Sequence, residues 1–297
     1  MCGSPTPPQR PSWRRGWRAS VASWRRCAAD RRRLRVRDPE VQTSAVGQLL
    51  VRRLAQRLRA REDGCMPAVR VEGVSVRRGG TRVLAAVDFE VAAGSVLCLT
   101  GENGSGKTTV LRTLTGQVTP SSGRVLIVGE PVDERSPRFR RRLAALLGSV
   151  PFSMTMTARE HLTAVAASWG ASVRDANASA DEVLARLDIL DLSDRFPHEL
   201  SSGQFQLLSL ATALARPFEV LVLDEPEQRL DENRRELLAR ILTEERARGA
   251  AIVVATHSRA LIDELGAAEL RLARSPGARD SGMGDARGPG GDDGRAA

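Results

Sequence analysis

Residues 95–115 join an apolar run to a glycine-rich loop and then to a run with helical spacing. An apolar run, Ser95-Val-Leu-Cys-Leu-Thr100, leads into Gly101-Glu102-Asn103-Gly104-Ser105-Gly106-Lys107-Thr108-Thr109, and the residues up to Thr115 continue with helical apolar spacing. The middle part fits the pattern G-x-x-x-x-G-K-[ST], in which a glycine-rich loop joins a strand to a helix and directs backbone N–H groups at phosphates. The stretch therefore predicts an α/β protein that binds a nucleotide through these nine residues.

Lys107 is the only lysine in the chain, and the other 44 basic residues are arginine. A compact ammonium group suits the β- and γ-phosphates of a nucleotide better than the planar fork of arginine. Thr108 supplies a hydroxyl for Mg²⁺, and the helix that follows turns its positive end toward the anion. We therefore expect Mg²⁺ to accompany the nucleotide.

The positive charge of the chain is concentrated at its amino-terminal end. The 297 residues carry a net charge of +9, but residues 1–65 contain 16 arginines and 5 acidic residues, whereas residues 66–297 contain 29 basic and 31 acidic residues. The larger part is nearly neutral, so it lacks the basic surface that binding to DNA or RNA requires. We expect no nucleic-acid partner.

Three segments are predicted. The domain is expected at 66–274, between an Arg-rich disordered leader at 1–65 and a Gly/Asp-rich disordered tail at 275–297. Three explanations of the leader stay open: a start codon set too far upstream, a disordered tail, or an amphipathic helix at 48–62 that touches anionic lipid. Cys98 is the one cysteine of the predicted core, which indicates a reducing compartment, and no apolar run is long enough to cross a membrane.

Two further apolar runs end in polar residues that suit phosphate chemistry. Residues 219–224 end in Asp224 and Glu225, and residues 251–256 precede His257. At the carboxyl edge of a parallel sheet, Asp224 would hold Mg²⁺, Glu225 would orient or deprotonate the attacking water, and His257 would contact the γ-phosphate. The alternatives are a simple acidic turn and a structural histidine.

The segment Leu200-Ser201-Ser202-Gly203-Gln204 precedes a helical run from Phe205 to Arg216, and Ser201 is placed to cap that helix. With this segment, the chain resembles the nucleotide-binding domain of ABC ATPases over about 66–275. Residues 101–109 match the phosphate loop of that family, 200–204 its LSGGQ signature with Ser202 replacing a glycine, and 221–225 its second acidic motif. Asp231 matches its dimer-contacting aspartate and His257 its switch histidine.

The resemblance implies ATP as cofactor and ATP hydrolysis that drives transport. It also implies a P-loop NTPase fold with a mixed core sheet, an antiparallel β layer from about 68–96 and 124–129, and a helical subdomain at about 137–205. Two such domains would stack head to tail, in a homodimer or heterodimer, so that 201–204 of one faces the ATP of the other. The permease would be a separate chain, and this chain would lie at the cytoplasmic face of the membrane. The direction of transport would be export, since no folded regulatory domain is expected after 275. The alternatives are a soluble ABC-type ATPase not tied to transport and a binding-only regulatory subunit.

Three departures from the family pattern are visible. No glutamine lies between Gln117 and Gln204, and Ser149 or Val150 takes the place of the usual one, so metal contact there must be handled differently. Arg78 stands where an adenine-stacking aromatic residue is usual, and an arginine plane can stack on a base. Residues 227–229, Glu-Gln-Arg, replace the usual small and glycine residues before Leu230 and Asp231.

Overall fold

The computed structural model describes residues 66–273, so both the predicted leader and the predicted tail lie outside the described residues. The strands are β1 Val69–Arg78, β2 Thr81–Val91, β3 Val96–Thr100, β4 Ser122–Ile127, β5 Glu130–Pro131, β6 Leu143–Leu146, β7 Val220–Asp224, β8 Ala251–Ala255 and β9 Ala268–Arg271. The helices are α1 Lys107–Leu114, α2 Pro137–Arg142, α3 Ala158–Ser168, α4 Val173–Arg186, α5 Ser202–Leu214, α6 Glu232–Ala247 and α7 Arg259–Leu265.

The core is a five-stranded sheet in the order β6-β7-β8-β3-β9, with parallel pairing between all neighbours. Its central strands are continuous apolar runs because both of their faces are buried. In β7, Val220 and Val222 pack toward one cluster of the core, and Leu221 and Leu223 pack toward the other. The sheet thus separates two hydrophobic layers.

A second sheet of four antiparallel strands, in the order β2-β1-β4-β5, covers one of these layers. The predicted α/β fold with an antiparallel β layer is confirmed. One detail differs: parallel and antiparallel pairing belong to two separate sheets, and the core sheet itself is parallel instead of mixed. The reason is that β6, β7, β8 and β9 each follow a helix, and a connection through a helix favours parallel pairing.

The helical subdomain is shorter than the predicted range of 137–205. Residues Leu143–Leu146 form β6, the edge strand of the core sheet, and the helices α3 and α4 follow it. Helix α4 begins after its cap Ser172 and ends at Arg186, close to Asp188, which has a left-handed φ of 55°. Within residues 66–273, no helix combines the length and the apolar character needed to cross a membrane.

The carboxyl ends of β3, β7 and β8 meet at one edge of the core sheet. Asp224 at the end of β7 is in register with Ala255 at the end of β8, and Leu99 of β3 is also paired with Ala255. The three segments that the sequence marks as functional leave the sheet at this edge, which brings them together as a topological switch point does in open α/β sheets.

Candidate active site

The phosphate loop follows β3 and requires glycine for two separate reasons. At Gly101, where φ is 138°, a Cβ atom would lie 2.4 Å from the carbonyl oxygen of Leu272. At Gly106, where φ is 100°, it would lie 2.8 Å from a methyl group of Leu84 on β2. Both the left-handed backbone and the close neighbours therefore exclude side chains, and the loop fits tightly between the two sheets.

Lys107 lies folded back over its own loop. It is only 7% exposed, and its Nζ donates hydrogen bonds to the carbonyl oxygens of Gly101, at 2.8 Å, and Glu102, at 3.3 Å. Helix α1 begins at Lys107 with no side-chain cap and no acidic residue in its first turn. The N–H groups at its start are thus available to an anion, and together with the ammonium group they form a site suited to phosphate.

Thr108 and Asp224 are brought together from positions 116 residues apart. The Thr108 hydroxyl donates a hydrogen bond of 2.9 Å to Oδ2 of Asp224, and both residues are partly buried. Hydroxyl and carboxylate oxygens are hard donors of the kind that Mg²⁺ prefers, usually with waters and phosphate oxygens completing its shell. The donor set therefore fits the ion.

Glu225 and His257 also lie side by side. The Nε2 atom of His257 is 3.4 Å from Oε1 of Glu225, and the Glu225 side chain is only 26% exposed. The backbone N–H of Glu225 donates to the carbonyl oxygen of Ala255 at 2.8 Å, which ties the residue to β8. Its φ of 46° is left-handed, which is uncommon outside glycine and is found at functional sites.

Glu227 and Gln228 stand out in the sequence only as departures from the family pattern, but both have contacts at this edge. The Nε2 atom of Gln228 donates a hydrogen bond to Oε2 of Glu225, and the hydroxyl of Thr256 donates to Oε1 of Glu227. The Glu227–Thr256 contact has no local signal because the two residues are 29 positions apart, whereas the Gln228–Glu225 contact lies within one turn.

Arg78 ends β1 and is exposed at the hairpin that leads into β2. The start of β2 touches the phosphate loop, since the carbonyl oxygen of Val83 and the side chain of Leu84 are the neighbours of Gly106. Arg78 therefore lies on the side of the phosphate loop that the antiparallel layer borders. Its stacking on adenine stays a prediction.

The signature segment contacts the turn after β7. Helix α5 begins at Ser202, directly after the predicted cap Ser201: Ser201 Oγ accepts from the N–H of Gln204, and the Gln204 side chain accepts from the N–H of Ser201. A Cβ atom at Gly203 would lie 2.9 Å from the carbonyl oxygen of Arg229. Among residues 66–273, no hydrogen bond or ion pair joins 201–204 to 101–109.

Asp231 caps its own helix, since Oδ1 accepts a hydrogen bond of 3.0 Å from the N–H of Arg234 at the start of α6. Its side chain is thus fixed by a local contact, and its role toward a second domain stays a prediction.

The segment that lacks the family glutamine is anchored by aromatic contacts. Ser149 is exposed, Val150 packs against the core, and Phe152 lies edge-on to His161 of α3 and to Phe205 of α5, with ring centroids 4.9 and 5.2 Å apart. The segment is therefore held to the signature helix by packing.

Comparison with known proteins agrees with this geometry. Residues 84–228 match the family model described as ABC transporter. The chain is 38% identical to the hemin import ATP-binding protein HmuV of Nocardia farcinica (strain IFM 10152) over 200 residues. These residues cover 64% of this chain and 68% of that protein. It is 32% identical over 196 residues to the Nod factor export ATP-binding protein I of Rhizobium meliloti (strain 1021), over 65% and 58% of the two chains. The chain belongs to the ABC transporter family of ATP-binding proteins and is an ATPase.

Solved structures show the same fold. An ATP-binding subunit of an ABC transporter superposes with a TM-score of 0.63 and 25% identity over 70% of this chain and 86% of that one. A nucleotide-free ATP-binding cassette from an ABC transporter gives a TM-score of 0.60 over 70% and 88%, and its 22% identity supports the fold alone. The expected family and fold are thus confirmed.

Proposed function

We propose that the chain hydrolyses Mg²⁺-bound ATP at the carboxyl edge of the core sheet and that this reaction powers a transporter. One observation supports the assignment most strongly. The two contacts Thr108–Asp224 and Glu225–His257 lie at the same edge as the loop that carries Lys107. A cation-binding pair, a carboxylate next to a histidine and a phosphate loop are the parts that phosphoryl transfer to water requires.

Each residue has one task in this proposal. Lys107 and the N–H groups of the loop bind the β- and γ-phosphates, and Thr108 with Asp224 would hold Mg²⁺, which neutralises phosphate charge when it is bound. Glu225 orients the attacking water and accepts its proton. His257, adjacent to Glu225, contacts the γ-phosphate and helps to fix the carboxylate.

The dependence of turnover on Mg²⁺ tests this assignment. Asp224→Asn keeps the shape of the side chain and removes its charge, so we expect half-maximal turnover to need at least about tenfold more Mg²⁺, since carboxylate charge governs such sites. Asp191→Asn, which lies in a short helical turn of the helical subdomain, is the matched control. An unchanged Mg²⁺ requirement in Asp224→Asn would remove Asp224 from the metal site.

A separate membrane permease is the partner that we propose, with this chain bound at the cytoplasmic face of the cell membrane. The named relatives are ATP-binding proteins of import and export, and residue Met154, in the segment between β6 and α3, is 62% exposed although it is apolar. We expect Met154→Glu to abolish stimulation of ATPase activity by the permease and to leave the basal rate unchanged. Val173→Glu, at a 72% exposed apolar position on α4, is the control. If Met154→Glu is stimulated like the parent, the permease does not dock on this segment.

The sequence predicts export, and the direction stays a prediction because the named relatives include an import protein and an export protein. Uptake into inside-out vesicles that contain the permease would support export, and ATP-driven release from them would contradict it.

We further propose a head-to-tail dimer in which residues 201–204 and Asp231 of one domain complete the ATP site of the other. Ser202 is exposed at the first position of α5, so Ser202→Glu leaves the helix intact while it places a carboxylate where phosphates would approach. In a mixture with Lys107→Ala, one of the two composite sites is intact, and we expect partial recovery of turnover. Mixed dimers that stay inactive would contradict independent head-to-tail sites.

A further inference from the structure

The turn between β7 and α6, residues 225–231, differs from the small and glycine residues usual in the family at Glu227 and Gln228. We propose that Gln228 is a positioning residue for hydrolysis: it holds the carboxylate of Glu225, and Glu227 anchors the turn that carries both residues. This inference rests on the proposed role of Glu225 as the group that accepts the proton of the attacking water.

Gln228 restrains Glu225 through its side chain and its main chain. The Nε2 atom of Gln228 donates to Oε2 of Glu225, and its backbone N–H donates to the carbonyl oxygen of Glu225 at 3.1 Å. Since Oε1 of Glu225 lies 3.4 Å from His257, each carboxylate oxygen has its own neighbour. The carboxylate is thereby fixed in rotation as well as in position, which a serine or glycine at position 228 could not achieve because its side chain is too short.

Glu227 fastens the turn to the chain around His257. It is 8% exposed, and its Oε1 accepts a hydrogen bond from the hydroxyl of Thr256, which is fully buried. The same hydroxyl accepts from the N–H of Ser258 at 2.9 Å. The residues on both sides of His257 are therefore tied to Glu227.

The second oxygen of Glu227 indicates that this residue is not explained by packing. Oε2 is buried and has no hydrogen-bond partner among residues 66–273. A buried carboxylate oxygen without a hydrogen bond lowers stability, so Oε1 and its contact with Thr256 carry the anchoring role. The strained backbone of Glu225 needs such support from its surroundings, because a left-handed φ persists only when neighbouring contacts enforce it.

The first test is Gln228→Ala in the full-length chain. Gln228 is exposed, so the variant retains the fold, and we expect kcat to fall about tenfold, as for the loss of one hydrogen bond expressed in the transition state. KM for ATP and the Kd for Mg²⁺-bound ATP should not change, because Gln228 is not part of the phosphate site. Gln117→Ala, the same change at an exposed glutamine outside the site, should leave kcat unaltered. An unaltered kcat in Gln228→Ala, or a loss confined to KM, overturns the proposal.

Combination with Glu225→Gln shows whether Gln228 acts through Glu225. We expect Gln228→Ala to have no further effect on single-turnover hydrolysis in the Glu225→Gln background, because residues that act as a unit are not additive. A further tenfold loss overturns the inference and leaves the role of Glu225 intact. If Glu225→Gln alone keeps the parental rate, the proposed role of Glu225 is wrong and the inference falls with it.

The anchor is tested by conservative rescue. Glu227→Gln still accepts a hydrogen bond from Thr256 and should keep the parental kcat, whereas Glu227→Leu should lose about tenfold with KM unchanged. If the leucine variant does not fold, Thr256→Val removes the donor instead and should cause the same loss. The anchoring role is overturned if Glu227→Gln has the same rate as the variant it is compared with, Glu227→Leu or Thr256→Val. This holds whether both rates are parental or both are slow.

Discussion

The binding of ATP depends on the ammonium group of Lys107, and its contribution can be derived from its surroundings. The residue is only 7% exposed, and its Nζ contacts two carbonyl oxygens of its own loop, at 2.8 and 3.3 Å. An ammonium group has three donors, so one N–H remains for a phosphate oxygen even in this folded-back position. A hydrogen bond to a charged group contributes roughly 1.5–3 kcal/mol, which corresponds to a Kd that rises about tenfold to somewhat more than a hundredfold when the group is removed.

Two substitutions separate charge from shape. Lys107→Met keeps most of the buried stem, and Lys107→Arg keeps the charge but introduces a planar fork that the compact loop does not match. We expect both variants to bind a fluorescent ATP analogue with Mg²⁺ more weakly than the parent, and Lys107→Met to lose at least about tenfold. Melting curves of the nucleotide-free proteins provide the control for folding. Parental affinity in Lys107→Met would refute the assignment of residues 101–109 as the phosphate loop.

Three other predictions concern the domain around the site. Gly203→Ala should lower the free energy of unfolding by about 1–3 kcal/mol in a denaturant titration, because its Cβ would lie 2.9 Å from the backbone oxygen of Arg229, whereas Ser202→Gly should have a much smaller effect. Burial, with smaller contributions from two nearby glutamates, raises the pKa of the Cys98 thiol to about 12. The folded state therefore keeps a proton that the unfolded state loses, and the contribution of Cys98 to stability should fall as pH rises from about 9 toward 12. The thiol should also resist alkylation at pH 8. Rapid labelling of the Cys98 peptide under native conditions would contradict this. Deletion of residues 1–65 should leave the melting temperature and turnover unchanged if 66–274 is the domain, as we propose.

The parts of the fold that the sequence predicts are those with local chemistry. A few neighbouring residues are enough to predict three of these parts: the glycine-rich phosphate loop, the apolar runs before Asp224 and His257, and the cap Ser201. The predicted helical subdomain includes Leu143–Leu146, which forms a strand, because four apolar residues after an arginine run have no period that separates strand from helix. Its position is set by pairing with β7, which lies more than 70 residues further along the chain.

The sequence does not predict two contacts of the site, of which one is long-range and one lies within a turn. In the sequence, Glu227 and Gln228 are a simple departure from a family pattern. The structure adds the contact of Glu227 with Thr256 and the contact of Gln228 with Glu225. The sequence predicts that Gly203 faces a second domain, and the structure adds a reason for glycine within the chain, since a Cβ atom there would meet the backbone oxygen of Arg229.

Glu225→Gln should separate ATP binding from ATP hydrolysis in the proposed active site. In one preparation each of the parent and Glu225→Gln, the Kd for Mg²⁺-bound ATP and the rate of phosphate release should be measured together. The amide fills the same space but cannot accept a proton, so we predict an unchanged Kd and a rate lowered at least about a hundredfold. A parental rate of phosphate release in Glu225→Gln would contradict the proposed active site.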